Sequence, residues 1–581
     1  MKKLKALFKY TLLFKKKYIL GVLMLMFIDF MQLVPPKILG VLADSLSNGK
    51  ASQSYILKYI LLFIGTAIIV AVGRFVWRVL IVGTAKHIEY EMRNKYFSHL
   101  QKLSVNFYNE NKTGDLMALA TNDLNSVIMS LGFGMVMIID ALFLSSITII
   151  TMLSIDVKLT LLSLLPLPFI SLTATKFGKL IHKKFMVVQK SFSTLTELVQ
   201  ENFSGIRVIK SFVQEEKEFE KFTKENLNNF EKNMEYSKIQ VIMQPLVEFI
   251  ASLSFVIFIG IGGLYVIYGD ISLGDFVAFN MYIGQLIWPM MAIGFVINVI
   301  QRGFASLERI ENILKVNPEI YDSNDVHQIK SINGDLAIKD LTFTYPGANI
   351  PSLKNINMNI KKGETLGIIG RTGSGKSTLV NLLVRLYNID DGKIFINDED
   401  INKIPLSTLR RNIGMASDPF LFSYNISENI NLANDTLDME SIIKAAKDAD
   451  VYNNIIDFPK GFDTMVGERG VTLSGGQKQR VSIARALIKN PEILILDDCL
   501  SAVDAKTETK ILENLKSIMK DRTSIIISHR ISAIKNSHNI LVLDEGRIVE
   551  EGTHETLINN QGLYSEIYNK QLLEEKIDEE V

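Results

Sequence analysis

Two patterns of hydrophobic and polar positions divide the chain. Between residues 18 and 303, long apolar stretches alternate with polar connections, whereas from about 336 short β-branched runs alternate with helical segments. The apolar stretches lie near 18–47, 54–83, 131–155, 157–182, 243–268 and 274–303. Each can supply the roughly 20 apolar residues that a helix needs to cross a bilayer core. Connections after the first, third and fifth stretches are short, which predicts helical hairpins. Those after the second and fourth, about 84–130 and 183–242, are long and rich in Lys, Glu and Asn. Each is long enough for two helices of about 20 residues, reaching some 30 Å beyond the bilayer. Their reversals are expected at FYNENKTGDLMALATND (107–123) and ENFSGIRVIKSF (201–212), where Gly114 and Gly205 suit tight turns. Residues 304–335 read as a linker with breakers at Asn317-Pro318 and Ser331–Gly334. Residues 336–570 read as an α/β domain, and 571–581 as an acidic tail expected to fray.

The predicted architecture is therefore an all-α membrane domain of six spans (1–303) joined to an α/β domain. Composition fits that division. Across 581 residues, 48% are hydrophobic while 22% are charged, so apolar and charged residues must occupy different regions. A net charge of +1 gives no sign of a nucleic-acid partner, and the single cysteine, Cys499, excludes an internal disulfide. Seven lysines in the first 17 residues precede an apolar stretch too long for a signal peptide and followed by more spans. The positive-inside rule then puts the N-terminus in the cytoplasm, together with the two long connections. The expected location is a cell membrane, crossed several times, with the α/β domain cytoplasmic.

GETLGIIGRTGSGKSTLVNLL (363–383) carries the strongest chemistry. A buried strand, a glycine loop and a helix match G-x-x-x-x-G-K-[ST], the P-loop. Its candidate nucleotide ligands are Gly370, Arg371, Thr372, Gly373, Ser374, Gly375, Lys376, Ser377 and Thr378. Backbone N–H groups cradle phosphates there, at the positive end of the helix. Lys376 would reach the β- and γ-phosphates, and Ser377 would hold Mg²⁺. In ILILDDCLSAVD (493–504), four aliphatics deliver Asp497 to a strand's C-terminal end, where it fits a magnesium-holding carboxylate. Tyr345, about 25 residues before the P-loop, offers a flat surface for adenine or simply packs. VTLSGGQKQRVSIARAL (471–487) adds Ser474, Gly475 and Gly476 ahead of a helix, with Gln477 in the same candidate set: a second phosphate site. One γ-phosphate does not need two such sites on one chain, so this loop is expected to serve the ATP of a second nucleotide-binding domain.

GRTGSGKST, LSGGQKQR, LILDD, SAVD (501–504) and SHR (528–530) occur in the order and spacing of the ATP-binding cassette (ABC) exporters of the six-span half-transporter type, which the chain resembles over nearly its whole length. TMVGERG (464–470) is similar to a further exporter segment, with Glu468 at its acidic position. The resemblance implies a dimer sandwiching two ATPs, alternating access of a membrane cavity, coupling helices at the two cytoplasmic turns, and contact of His529 with the γ-phosphate.

Two positions depart from the family pattern. The acid after Asp497, normally Glu, is Asp498; its missing methylene shortens the reach by about 1.3 Å, and a misplacement of about 1 Å can cost on the order of 10²-fold. In RRNIGMASDPFLFS (410–423), a Gln usually precedes the Asp; here Ser417 precedes Asp418 and the segment is one residue short. Both departures affect the site on this chain's own P-loop, whereas LSGGQ is intact. The family contains heterodimers with one weak and one competent site, so the chain resembles the degenerate-site subunit of a heterodimeric multidrug exporter. The alternatives are a homodimer with two slow sites exporting lipid or peptide, and a regulatory membrane subunit that binds ATP with little turnover. Asp29, Arg74, Arg78, Asp140, Glu248, Asn280 and Gln285 lie within the proposed spans and, being costly in lipid, are expected to face a cavity or one another. Met24, Met26, Met31, Met135, Met137 and Met281 are candidates for adaptable cavity walls. The intramembrane acids favour hydrophobic or cationic small molecules as substrates.

Overall fold

The computed structural model describes residues 10–580, apart from 51, 324, 328, 330, 418, 435, 437, 468–472 and 504. Six apolar helices run over Lys15–Ser47, Gln53–Leu100, Thr113–Ile155, Val157–Ser204, Glu215–Tyr268 and Leu273–Leu314. The fifth has 54 residues, roughly 80 Å at 1.5 Å per residue. That far exceeds a hydrocarbon core of about 30 Å, so the second to fifth helices continue as polar rods through the long connections. Capping chemistry closes the short connections. Ser52 accepts from Tyr55 N, Asp156 from Leu159 N, and Ser272 from Asp275 N, while Gly269 ends the fifth helix at φ +81°. The first span breaks into Lys15–Met31 and Val34–Ser47, because Pro35 and Pro36 lack N–H groups and are tolerated only in a helix's first turn.

Gly40 and Gly274 bring the first and sixth spans together. A Cβ on Gly40 would lie 2.6 Å from Gly274 O, so only glycine permits the approach. Asp44 secures the same place, accepting from Gly274 N (2.6 Å) and Ser272 Oγ (2.8 Å). Lower down, Asp123 accepts from Ser306 Oγ and pairs with Arg309.

Three expectations need correction. The last helix continues to Leu314 instead of ending at 303, because Leu307 and Ile310 keep a helical spacing and are buried. Gly114 sits inside the helical turn Thr113–Ala118; the first reversal instead lies around the short helix Val105–Glu110. Gly205 does mark the second reversal, before the short helix Ile206–Ser211. Of the segment expected to fray, residues 571–580 are helical, within Leu563–Glu580, and residue 581 lies outside the described residues.

The chain divides into two units, Met1–Gln101 with Lys112–Val316, and Asn317–Val581 with Lys102–Asn111. The second contains strands β1 (Leu336–Phe343), β2 (Leu353–Ile360), β3 (Thr365–Gly370), β4 (Ile394–Ile396), β5 (Glu399–Asp400), β6 (Ile413–Ala416), β7 (Ile493–Asp497), β8 (Thr523–Ile527), β9 (Asn539–Asp544) and β10 (Arg547–Gly552). An antiparallel sheet runs β2-β1-β4-β5, and a second sheet runs β10-β9-β3-β8-β7-β6. In the second sheet β9, β3, β8, β7 and β6 are parallel. Every residue of β3 and β8 is buried, which explains their apolar runs at 366–369 and 525–527.

Candidate functional site

Three neighbouring parallel strands, β3, β8 and β7, end on the same side of the sheet, the side where open α/β folds place ligands. β3 delivers the P-loop, β8 leads to His529, and β7 ends at Asp497. The P-loop bends through Gly373 (φ +83°) and Gly375 (φ +101°) into the helix Lys376–Leu383. A Cβ on Gly375 would strike Ser352 O at 2.7 Å, so left-handed backbone and lack of space both demand glycine. Lys376 is 6% exposed and donates from Nζ to the carbonyls of Gly370 and Arg371, each at 2.9 Å, which keeps its ammonium within the loop. Burial lowers its pKa, opposed by the charges of Asp497 and Asp498. Ser374 is buried and its Oγ has no hydrogen-bond partner. Arg371 is exposed and pairs with Glu566 at 3.7 Å.

Ser377 Oγ donates to Asp497 Oδ1 at 3.3 Å. Adjacent ligands of an octahedral Mg²⁺, each roughly 2.1 Å from the ion, stand about 3.0 Å apart. These two oxygens fit that spacing. Among the described residues no group of three or more His, Cys, Asp or Glu side chains could hold a metal ion. Burial raises the pKa of Asp497; the Ser377 hydrogen bond opposes the rise, the Asp498 charge adds to it, and Lys376 and His529 oppose it.

Asp498 follows immediately in a left-handed conformation, φ +47°. Its N–H donates to Ile527 O, and its carbonyl accepts from Ser501 Oγ (3.0 Å) and Gln479 Nε2 (3.4 Å). Cys499 is buried and its thiol is pushed up to about 12, chiefly by desolvation, so it is chemically inert here. His529 has an exposed side chain in the loop after β8.

Tyr345 both packs and bonds: its ring meets Phe343 and Tyr387 edge-on at 5.1 and 5.0 Å, and its hydroxyl donates to Thr378 Oγ1 at 3.0 Å. Ser474 N-caps the helix Gly475–Leu487 in a capping box, its Oγ accepting from Gln477 N while Gln477 Oε1 accepts from Ser474 N. Ser474 and Gly475 are exposed. A Cβ on Gly476 would lie 2.9 Å from Ala502 O. Thr372 lies in the loop between Gly370 and Gly373. Asp418, Glu468 and Asp504 lie outside the described residues, while Ser417 directly follows β6.

Several residues around the site carried no signal in the sequence reading. Gln479 is buried and joins the Ser474 helix to the segment after β7, bonding Ser501 Oγ and Ala502 N besides Asp498 O. Its place inside GGQKQR was the available hint. Arg530 binds the buried Glu508 at 2.6 Å, and Tyr387 accepts from Asn109 Nδ2 at 3.2 Å. Both partners are distant in sequence.

In the membrane unit, Arg74 Nη2 donates to Gln32 Oε1 (2.9 Å), Gln32 Nε2 to Asp29 Oδ1 (3.3 Å), and Gln285 Nε2 to Gln32 O (2.8 Å). Gln32, Pro35, Pro36, Arg74, Met281 and Gln285 help to line a cavity of about 330 Å³. Glu248 instead pairs along its own helix with Gln244, Arg78 lies over the Trp77 ring, and Asn280 is exposed. Of the six methionines expected as walls, Met281 lines this cavity, whereas Met137 is buried in helix packing.

Six apolar helices followed by a P-loop α/β domain define a membrane-bound ATPase that couples nucleotide hydrolysis to transport. The chain belongs to the ABC transporter family: residues 18–290 match the ABC transporter transmembrane region and 353–501 match the ABC transporter domain. It is 39% identical to the probable multidrug resistance ABC transporter ATP-binding/permease protein YheI of Bacillus subtilis, over 96% of this chain and 95% of that protein. It is 38% identical to the multidrug resistance-like ATP-binding protein MdlA of Escherichia coli (97% and 96%), and 35% identical to the ATP-dependent lipid A-core flippase of Syntrophus aciditrophicus (84% and 82%). A bacterial Atm1-family ABC exporter with ATP bound shares the fold at a TM-score of 0.78 and 25% identity, covering 96% of this chain and 99% of that one. The chain is thus a half-transporter that binds ATP. Such exporters work as dimers in the bilayer, with the nucleotide-binding domain cytoplasmic.

Proposed function

We propose that this chain is one subunit of a heterodimeric exporter that moves hydrophobic or amphipathic, multidrug-type compounds out of the cytoplasm or inner leaflet by alternating access. In this reading its own P-loop site hydrolyses ATP slowly, and its LSGGQ segment serves the fast site of a different partner half. The observation that carries it is Asp498: a short acid directly after Asp497, in a chain whose Ser474-capped helix is intact. The shortened segment at Ser417 supports the same reading.

Gly370, Arg371, Thr372, Gly373, Ser374, Gly375, Lys376, Ser377 and Thr378 bind the phosphates, and Tyr345 stacks on adenine. Ser377 and Asp497 would hold Mg²⁺, which would supply charge neutralisation to the bound phosphates. Asp498 orients the attacking water, and His529 contacts the γ-phosphate. Ser474, Gly475, Gly476 and Gln477 complete the partner's site. The polar chain Asp29–Gln32–Arg74 and the cavity beside it favour an amphipathic or cationic compound. Similarity to a lipid A-core flippase favours lipid export as a second reading.

ATPase assays on the purified chain, alone and with its partner half, test this proposal. Turnover is expected to be slow alone, fast with the partner, and lost on Ser474→Ala but largely kept on Asp498→Ala. Full turnover by the chain alone, abolished by Asp498→Ala, would establish a homodimer with competent sites.

A further inference from the structure

The helix Leu563–Glu580 reaches two loops of the candidate nucleotide site, the P-loop and the loop after β8. At the P-loop the contact is the ion pair of Glu566 with the exposed Arg371. At the loop after β8 it is closer. Gln571 Nε2 donates to His529 O at 2.6 Å, and its Oε1 accepts from Ile531 N at 2.9 Å. One side-chain amide therefore spans three residues of backbone with His529 at one end. Arg530, between the two contacts, is tied on another side: its guanidinium bonds Val503 O (3.1 Å) and Glu508, and its N–H donates to Ser528 Oγ (2.9 Å). Glu508 is 2% exposed and also accepts from Ser532 Oγ. The backbone that carries His529 is thus gripped from the Glu508 side and from the terminal helix, while the imidazole itself stays exposed.

We propose that Gln571 is a positioning residue that fixes the His529 carbonyl, and through it the direction in which the imidazole meets the γ-phosphate. This rests on the reading of His529 as the γ-phosphate contact. Glutamine suits the task because it offers a donor and an acceptor side by side, matching a carbonyl and an N–H two residues apart. Without it the loop keeps its Arg530 anchor but loses the constraint on His529, and shifts of about 1 Å suffice to impair a phosphate contact.

The test compares a non-hydrolysable ATP analogue with ADP, both photo-crosslinked to this chain in the assembled full-length transporter. ADP lacks the γ-phosphate, so the ratio of the two affinities isolates that contact. His529→Ala should reduce the ATP-over-ADP preference by about tenfold, a lost charge-assisted hydrogen bond. Gln571→Ala should reduce it at least fivefold with ADP affinity within twofold of the parent. Gln571→Glu should do the same: it keeps the acceptor for Ile531 N but sets a carboxylate oxygen against the His529 carbonyl. The double variant should be no worse than His529→Ala alone. If His529→Ala changes nothing, the reading of His529 fails and the proposal falls with it. If His529→Ala acts but Gln571→Ala leaves the preference intact, weakens both nucleotides equally, or adds fully to His529→Ala, the positioning role alone is overturned.

Discussion

Asp498 shows how a backbone conformation alters the meaning of a residue. In the sequence it is a catalytic acid one methylene too short. In the structure it is also a left-handed residue at φ +47°, held there by Ile527 O and Ser501 Oγ. Asp tolerates that region better than longer side chains do, because its short polar group is compatible with local hydrogen bonding. A short acid is therefore the more comfortable occupant of this turn, whatever the chemistry prefers. Asp498→Glu should trade one against the other. Hydrolysis at this chain's own site is expected to stay level or rise. The left-handed strain, on the order of 1 kcal/mol, should lower the domain's melting temperature by about 2–4 °C. Site-resolved ADP formation and thermal unfolding measure the two effects. A tenfold loss of hydrolysis would mean that Asp498 already holds a productive geometry.

At the scale of elements, the legible features were those with a local physical cause. Apolar runs announced six helices because bilayer thickness sets their length, and G-x-x-x-x-G-K-S announced strand, loop and helix because a phosphate needs that backbone. The extension of the last helix to Leu314, the helical setting of Gly114 and the docking of Gln571 were not legible, since packing partners far along the chain decide them. The Ser474 helix lies between these cases. Its motif was evident, but not that Ser474 also caps its own helix through a box with Gln477. Ser474→Ala thus removes the proposed phosphate ligand and a cap together, the cap alone costing about 1 kcal/mol. Ser474→Asp separates the two roles, because aspartate caps as well as serine does but places a negative charge where a phosphate should bind. It should leave the melting temperature unchanged while reducing turnover of the assembled transporter at least as far as Ser474→Ala does. Retained turnover in Ser474→Asp would remove Ser474 from the phosphate site and leave it only its cap.

On the scale of the whole molecule, transport requires that nucleotide chemistry and membrane helices respond to each other. We propose that residues Lys102–Asn111 take part in this response. They connect the second and third spans, yet they group with the nucleotide-binding unit. Ser104 Oγ donates to Glu319 Oε2 at 2.7 Å, and Asn109 Nδ2 donates to the Tyr387 hydroxyl at 3.2 Å. The Tyr387 ring meets the Tyr345 ring at 5.0 Å, and the Tyr345 hydroxyl bonds Thr378 in the P-loop helix. A continuous series of contacts therefore runs from the P-loop helix to the turn between two spans. Tyr387→Phe probes this series with little disturbance: the rings keep their packing and only the hydroxyl leaves. One hydrogen bond is worth about 0.5–1.5 kcal/mol, so stimulation of ATPase by transported compound should fall by a factor of about 2–10, with basal ATPase unchanged. Asn109→Ala, which removes the other end of the same bond, should match it, and the double variant should be no worse than either. Equal loss of basal and stimulated rates would place Tyr387 in nucleotide binding instead, and unchanged stimulation would show that coupling runs through other contacts of the turn.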